Sequence, residues 1–258
     1  MHSPFAYFTN SSDVYPSIKI NVMRQEIHVF EDKAELADYF GEILAETTAD
    51  GATKYIAISG GKTPETIFDH IAVKFAKSVK WNNIKIFWVD ERCVAPNDTE
   101  SNYKMAKEHL LDKVAIPEAN IFRVKGELSP NTALADYIEI LSKDVPQKDG
   151  WPLFDLIVLG MGDDGHTASI FPHQINLWKA PESCAIGNHP VSGQPRVTLT
   201  GKSINNAKQI VMLITGKNKA EKFEQIVSYD QYSAKYPAKM IDRSKTIWLL
   251  DEDAASLL

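Results

Sequence analysis

The chain has 258 residues, 44% of them hydrophobic and 24% charged, with a formal net charge of −6 at pH 7. The length allows a full core without staples, and the acidic balance excludes a protein that grips nucleic acid by bulk electrostatics. The two cysteines, Cys93 and Cys184, lie far apart, which argues against a disulfide framework and excludes a zinc site built mainly from cysteine.

Residues 1–25 carry weak periodicity and several breakers and are expected to form an arm, with a single α/β domain over 26–258. Their opening, MHSPFAYFTNSSDVYPS, has no basic start followed by an apolar run. The chain also has no stretch of about 18 apolar residues, so neither a signal peptide nor a membrane span is expected, and the cytosol is the expected location. EIHVF (26–30) reads as a strand, and a helix follows with Asp32 as its N-cap and Leu36, Phe40, Ile43 and Leu44 on one stripe. YIAIS (55–59) is a strand, and Pro64 opens the next helix as its first residue. IKIFWVD (84–90) is a strand that leads into a polar loop and then a helix from about Ser101 to Val114. NIFRV is a short strand and TALADYIEILSKDV a helix. DVPQKDGWP is a hinge candidate whose plainer reading is a surface connection. FDLIVLG (154–160), RVTLT, QIVMLIT and TIWLLD are strands, and KAEKFEQIV is a helix. Strands apolar on both faces, alternating with amphipathic helices, predict a Rossmann-like three-layer α/β/α fold around a mostly parallel sheet.

Ligands of such sheets collect beyond the carboxyl ends of the strands. Four polar clusters fall there: SGGKTP, DERCVAPNDTESN, GMGDDGHTAS and TGKNKA. In the first, Ser59, Gly60, Gly61, Lys62 and Thr63 precede a helix, so backbone N–H groups and a helix N-terminus converge as they do around a phosphate monoester. A tight turn with no ligand fits that motif equally well. Arg92 suits a bidentate grip on phosphate, with Asp90 and Glu91 beside it to orient it or move protons; the plain alternative is a self-paired charged loop. Arg196 and either Lys217 or Lys219 are further phosphate candidates, against readings as a structural ion-pair partner and solvated lysines.

The third cluster, VLGMGDDGHTAS, satisfies G-x-G-x-x-G through Gly160, Gly162 and Gly165. Asp163 and Asp164 argue against a pyrophosphate there, because each unit charge at about 4 Å opposes it by roughly 4 kcal/mol at an effective dielectric near 20. The other reading makes His166 a general base presented at a helix start, the one histidine of seven in a glycine-rich turn at a strand's carboxyl end. Asp164, two residues earlier, is placed to orient the ring if the turn brings the two side chains together. A histidine merely satisfied by backbone groups is the plain alternative. Neither Ser59 nor Ser169 lies in a G-x-S-x-G nucleophile elbow.

Taken in order, SGGKTP, DERCVAPNDTESNY, GMGDDGHTASIFP, PRVTLT with TGKNKA, and YPAKMI with WLLD resemble the 6-phosphogluconolactonase family, within the superfamily shared with glucosamine-6-phosphate deaminase. The resemblance spans about Glu26 to the C-terminus. It implies hydrolysis of 6-phospho-D-glucono-1,5-lactone without metal or other cofactor, with a small sugar phosphate as the partner. By resemblance, His166 matches the catalytic histidine, and Gly60, Gly61, Thr63, Arg92, Arg196 and Lys219 match the phosphate and sugar site. The deaminases carry a glutamate shortly after the histidine, where this chain has Phe171, so ring opening lacks a proton-handling group. Lys62 stands where a small hydroxyl residue is common, and Ala95 and Asp242 replace frequent prolines. A sugar-phosphate isomerase or deaminase and a non-catalytic sugar-phosphate sensor are the rival readings.

Overall fold

The computed structural model describes residues 26–228 and 234–258, together with the backbone of 7–8, 18–22 and 25. Most of the expected N-terminal arm lies outside the described residues. Where its backbone is described, β1 (Tyr7–Phe8) pairs with β2 (Ile18–Val22), and β2 pairs antiparallel with β3 (Gln25–Phe30) at one edge of the main sheet.

From β3 onward the chain alternates as its periodicity dictates. Asp32 caps α1 (Lys33–Thr48), accepting from Ala34 N at 2.7 Å and Glu35 N at 3.0 Å, and the Leu36, Phe40, Ile43 and Leu44 stripe is buried. Then come β4 (Lys54–Ile58), α2 (Lys62–Lys74), β5 (Ile84–Trp88), β6 (Asp90–Arg92), α3 (Asn102–His109), β7 (Ile121–Phe122) and α4 (Pro130–Asp144). The second half holds β8 (Gln147–Lys148), β9 (Trp151–Pro152), β10 (Leu156–Gly160), β11 (Cys184–Asn188), β12 (Pro195–Leu199), α5 (Gly201–Asn205), β13 (Gln209–Ile214), α6 (Ala220–Val227), β14 (Thr246–Asp251) and α7 (Glu252–Ala255).

Seven of these strands form the parallel body of the sheet, in the order β3-β14-β13-β10-β4-β5-β7. The mostly parallel three-layer fold read from the sequence is the fold observed. The middle of β10, Leu156 to Leu159, is fully buried, as a strand covered by helices on both faces must be. The edge at β7 is only two residues long, which leaves the Trp88 N–H and C=O without a strand partner on that side. The buried Tyr137 hydroxyl of α4 serves both, donating to Trp88 O at 2.7 Å and accepting from Trp88 N at 2.8 Å.

Several local expectations need correction. Helix α2 begins at Lys62, so Pro64 is its third residue, still within the first turn where no N–H is needed. The hinge candidate is a hairpin of β8 and β9, closed by Asp149 and Gly150, both at positive φ as a two-residue primed turn requires. RVTLT does not join the main sheet. It is β12, the centre of a separate antiparallel sheet β11-β12-β6 that the sequence reading did not foresee.

The topology sets the site. Strands β4 and β10 are neighbours, yet the chain leaves β4 toward β5 on one side and leaves β10 toward β13 on the other. Connections that part in this way open a crevice above the carboxyl ends of the two strands. No helix is long and apolar enough to cross a membrane among the described residues.

Candidate active site

A cleft of about 500 Å³ lies at that crevice. Of the binding candidates named from the sequence all but Lys217 line it, as does His166, and Asp164 stands behind His166. The four polar clusters therefore meet.

The floor is the turn after β4. Gly61, at φ +112, is the N-cap of α2, and no side chain caps the helix, so the first-turn amides are left for a ligand. Gly60 has to be glycine, since a Cβ there would come within 1.9 Å of Asn102 Oδ1. Thr63 Oγ1 bonds Thr215 Oγ1 at 2.8 Å and ties this turn to the end of β13. Ser59 is 5% exposed, and its hydroxyl has no partner among the described residues.

One wall is the second sheet. Asp90 to Arg92 is not a loop but β6, and side chains alternate across it. Asp90 and Arg92 face the cleft, where Asp90 accepts from Ser169 Oγ at 2.6 Å. Glu91 points the other way and accepts from Arg92 N, Asn102 N and Tyr103 N at 2.7–2.8 Å and from Ser101 Oγ at 3.2 Å, clamping the start of α3 to β6. Burial pushes its carboxyl up to about 7, against the pull of those N–H groups. The folded chain thus holds this proton up to about pH 7, while an unfolded chain releases it near the ordinary value of 4.5. Across that window the unfolded state loses protons that the folded state keeps, so stability from this group falls as pH rises. Glu91→Gln is expected to lower Tm overall but to flatten this fall, read from melts at the two ends of the window.

Arg92 and Arg196 are directly opposed in the β6–β12 register. Like charges in that position repel. Neither has a salt bridge among the described residues, and the Nε of each is buried without a partner. Arg92 donates to Glu100 O, and Arg196 reaches Ser169 Oγ only at 3.5 Å and lies over the Phe171 ring at 5.6 Å. Burial first, and then the Arg92 charge, lower the pKa of Arg196, with Asp90 opposing. Two adjacent guanidiniums held against this penalty form a socket for an anion.

The loop after β10 carries His166 into the same cleft. No helix begins at Gly165 or His166, the next helical segment being a 3-10 stretch from Pro172, so His166 is not at a helix start and the dinucleotide reading fails for want of a helix N-terminus. The loop closes on itself instead, with Gly162 N donating to His166 O at 2.9 Å, Gly165 N to Gly162 O at 3.0 Å and Thr167 Oγ1 to Gly160 O at 2.9 Å. Ala168 takes φ +50 in the next turn, an unusual backbone for a residue with a Cβ. The curl brings Asp164 Oδ1 to 2.6 Å from His166 Nδ1 and 3.0 Å from His166 N. Burial raises the Asp164 pKa, but the hydrogen bond and charge of His166 outweigh it and hold the carboxyl below its usual range. An ionised carboxylate can only accept, so His166 carries its proton on Nδ1 and leaves Nε2 as a base. The imidazole is 26% exposed and packs on Phe171, with ring centroids 4.5 Å apart. Gly162 makes the pair possible: a Cβ there would lie 2.1 Å from His166 Nδ1 and 2.9 Å from Asp164 Oδ1. Gly162→Ala is expected to cut kcat about tenfold or more, by forcing the pair apart, with a smaller change in KM; steady-state kinetics check it.

Lys219 lines the cleft but pairs with Asp163, and Asn218 Nδ2 donates to the same carboxylate at 2.8 Å. Sequence reasoning missed Lys33, Asn102, Thr215 and Asn218 as lining residues. The last three lie inside or beside motifs already singled out, whereas nothing local marks Lys33.

A switch-point crevice lined by opposed guanidiniums and an oriented imidazole makes this an α/β protein with a cleft suited to a phosphorylated small molecule. The chain belongs to the family described as glucosamine-6-phosphate isomerases/6-phosphogluconolactonase, which it matches over residues 31–248. It is 38% identical to the 6-phosphogluconolactonase of Treponema pallidum (strain Nichols), over 86% of this chain and 92% of that one. It is 42% identical to that of Aggregatibacter actinomycetemcomitans, over 79% and 87%. The solved structure of the devB protein superposes with a TM-score of 0.85 at 37% identity, covering 89% of this chain and 98% of that one.

Proposed function

We propose that this chain hydrolyses 6-phospho-D-glucono-1,5-lactone to 6-phosphogluconate, in the cytosol, with residues 26–258 acting as one catalytic domain. The observation that carries the reading is the His166–Asp164 pair sharing one cleft with the uncapped start of α2 and the opposed Arg92 and Arg196. The phosphate rests on the Gly60–Thr63 amides with Lys62, Lys219 and Arg196 around it, so binding energy remote from the reacting bond holds the ring. His166 Nε2 takes a proton from water as that water attacks the lactone carbonyl. The Arg92 guanidinium stabilises the oxyanion. The imidazolium then returns the proton to the departing ring oxygen, and Asp164 keeps the ring oriented throughout. Asp90, through Ser169, keeps the Arg196 side of the cleft in place.

The isomerase and deaminase alternative has no support at Phe171, which is 1% exposed and apolar where that chemistry places a carboxylate. The deciding assay follows 6-phosphogluconate formation from freshly made lactone against the uncatalysed background. Release of ammonia from glucosamine 6-phosphate, or tight binding of sugar phosphate without turnover, would overturn the reading. Lys219→Ala is expected to raise KM more than it lowers kcat in the same assay.

A further inference from the structure

His166 and Arg196, on which the reaction above turns, share one neighbour that does not line the cleft. Phe171 is 1% exposed, and the cleft lining contributed by its loop ends at Ala168. Its ring centroid lies 4.5 Å from that of His166, with the planes inclined by 45°, and 5.6 Å from Arg196 Cζ. Among the described residues, each of the two groups has little else to hold it. Asp164 fixes the imidazole at Nδ1 alone, which leaves the ring free to rock about that bond. Arg196 has no salt bridge and reaches Ser169 Oγ only at 3.5 Å.

Phe171 is itself fixed through backbone and ring. Its carbonyl accepts from Gln174 N at 2.9 Å, and Gln174 Oε1 accepts from Asn188 N at 2.7 Å, which ties this turn to the end of β11. The next residue, His189, packs on the Phe171 ring at 86° with centroids 5.6 Å apart, and its own Nδ1 accepts from Ser192 N at 3.2 Å. A buried ring packed in this way has little room to turn. Its contact with the imidazole sets the plane of that ring, and its attraction for the guanidinium seats the cation. Resting on the reading that His166 is the base and Arg196 a phosphate ligand, we propose that Phe171 is a positioning residue that holds the imidazole plane and the Arg196 guanidinium in register from beneath the cleft.

The test compares Phe171→Leu with the wild type, alone and in the Arg196→Met background. In Phe171→Leu, kcat is expected to fall about two- to tenfold, the scale of one aromatic pair, and KM to rise about two- to fivefold, the scale of one cation–π contact. Without the Arg196 guanidinium, Phe171→Leu is expected to raise KM no further. Affinity for inorganic phosphate, read by calorimetric titration, is expected to weaken by the same factor as KM rises. Carbon-13 relaxation of the His166 ring C–H groups is expected to show a rigid ring in the wild type and a mobile one in the variant. Leucine leaves a small cavity and lowers Tm, so assays are run well below the melt. Phe171→Met, which refills the volume without a ring, is the second variant and is expected to give the same split. A residue that merely filled the core would lower Tm and leave kcat and KM in place. An unchanged kcat or KM, a KM rise that persists without Arg196, or a His166 ring as rigid as in the wild type would each overturn the proposal. Ring relaxation and phosphate titration need no turnover, so the two readings fail separately. A chain in which both respond to Phe171→Leu but which leaves the lactone untouched refutes the lactonase reading alone. Lactone turnover indifferent to Phe171→Leu and Phe171→Met refutes this one alone.

Discussion

His166→Ala is expected to lower kcat for lactone hydrolysis by about 10²–10⁴-fold, the range for loss of a positioned general base. The fold should survive, because the side chain is 26% exposed and its contacts are Asp164 and the Phe171 ring. KM should move little, since the phosphate end of the cleft is untouched. Asp164→Asn separates orientation from proton transfer. It keeps the size of the side chain but removes the charge that fixes the proton on Nδ1, so kcat falls in the same direction by a smaller factor. If His166→Ala instead turns over at near wild-type rates, the imidazole is not the base. If His166→Ala loses kcat while Asp164→Asn does not, the base stands and the orienting role assigned to Asp164 falls. The spontaneous hydrolysis of the lactone sets the floor, so rates must be read against an enzyme-free control.

The parallel sheet was legible because its signals are local. Apolar runs such as Leu156–Leu159 state burial on both faces, and Asp32 marks where a helix begins. The meeting of four polar clusters followed from the same reading, because parallel strands end on one side of a sheet. The antiparallel β11-β12-β6 sheet escaped because its evidence is not local. Asp90–Arg92 is three charged residues long, and its strand character comes from pairing with Arg196–Thr198, more than a third of the chain away. Separation along the chain also hid the opposed arginines and the tie between Asp163 and Lys219, which are 56 residues apart. His166 was placed at a helix start because glycine-rich turns after strands usually lead there. Here Gly162 and Gly165 bond back within the loop, a choice the glycines permit but do not announce. That curl also answers whether Asp164 and His166 face each other, which spacing alone left open.

Arg196→Met carries the second large effect. Methionine keeps an apolar stem over Phe171 and removes only the guanidinium. Loss of a charged hydrogen bond to phosphate weakens binding by about 1.5–3 kcal/mol, or roughly 10- to 150-fold in KM. An arginine that merely held the fold would take stability with it. Arg196 is different, because its guanidinium is partly buried, stands opposite Arg92 and has no salt bridge among the described residues. Removing it ends the burial of this charge and the repulsion from Arg92, against the lost attraction of Asp90, which keeps Ser169 at 2.6 Å. The unliganded Tm of Arg196→Met is therefore expected to equal or exceed that of the wild type, while the Tm gain on adding phosphate shrinks. A raised KM with a lowered unliganded Tm would make Arg196 a structural residue. An unchanged KM would remove it from the phosphate site and leave Lys62, Lys219 and the Gly60–Thr63 amides to hold the anion.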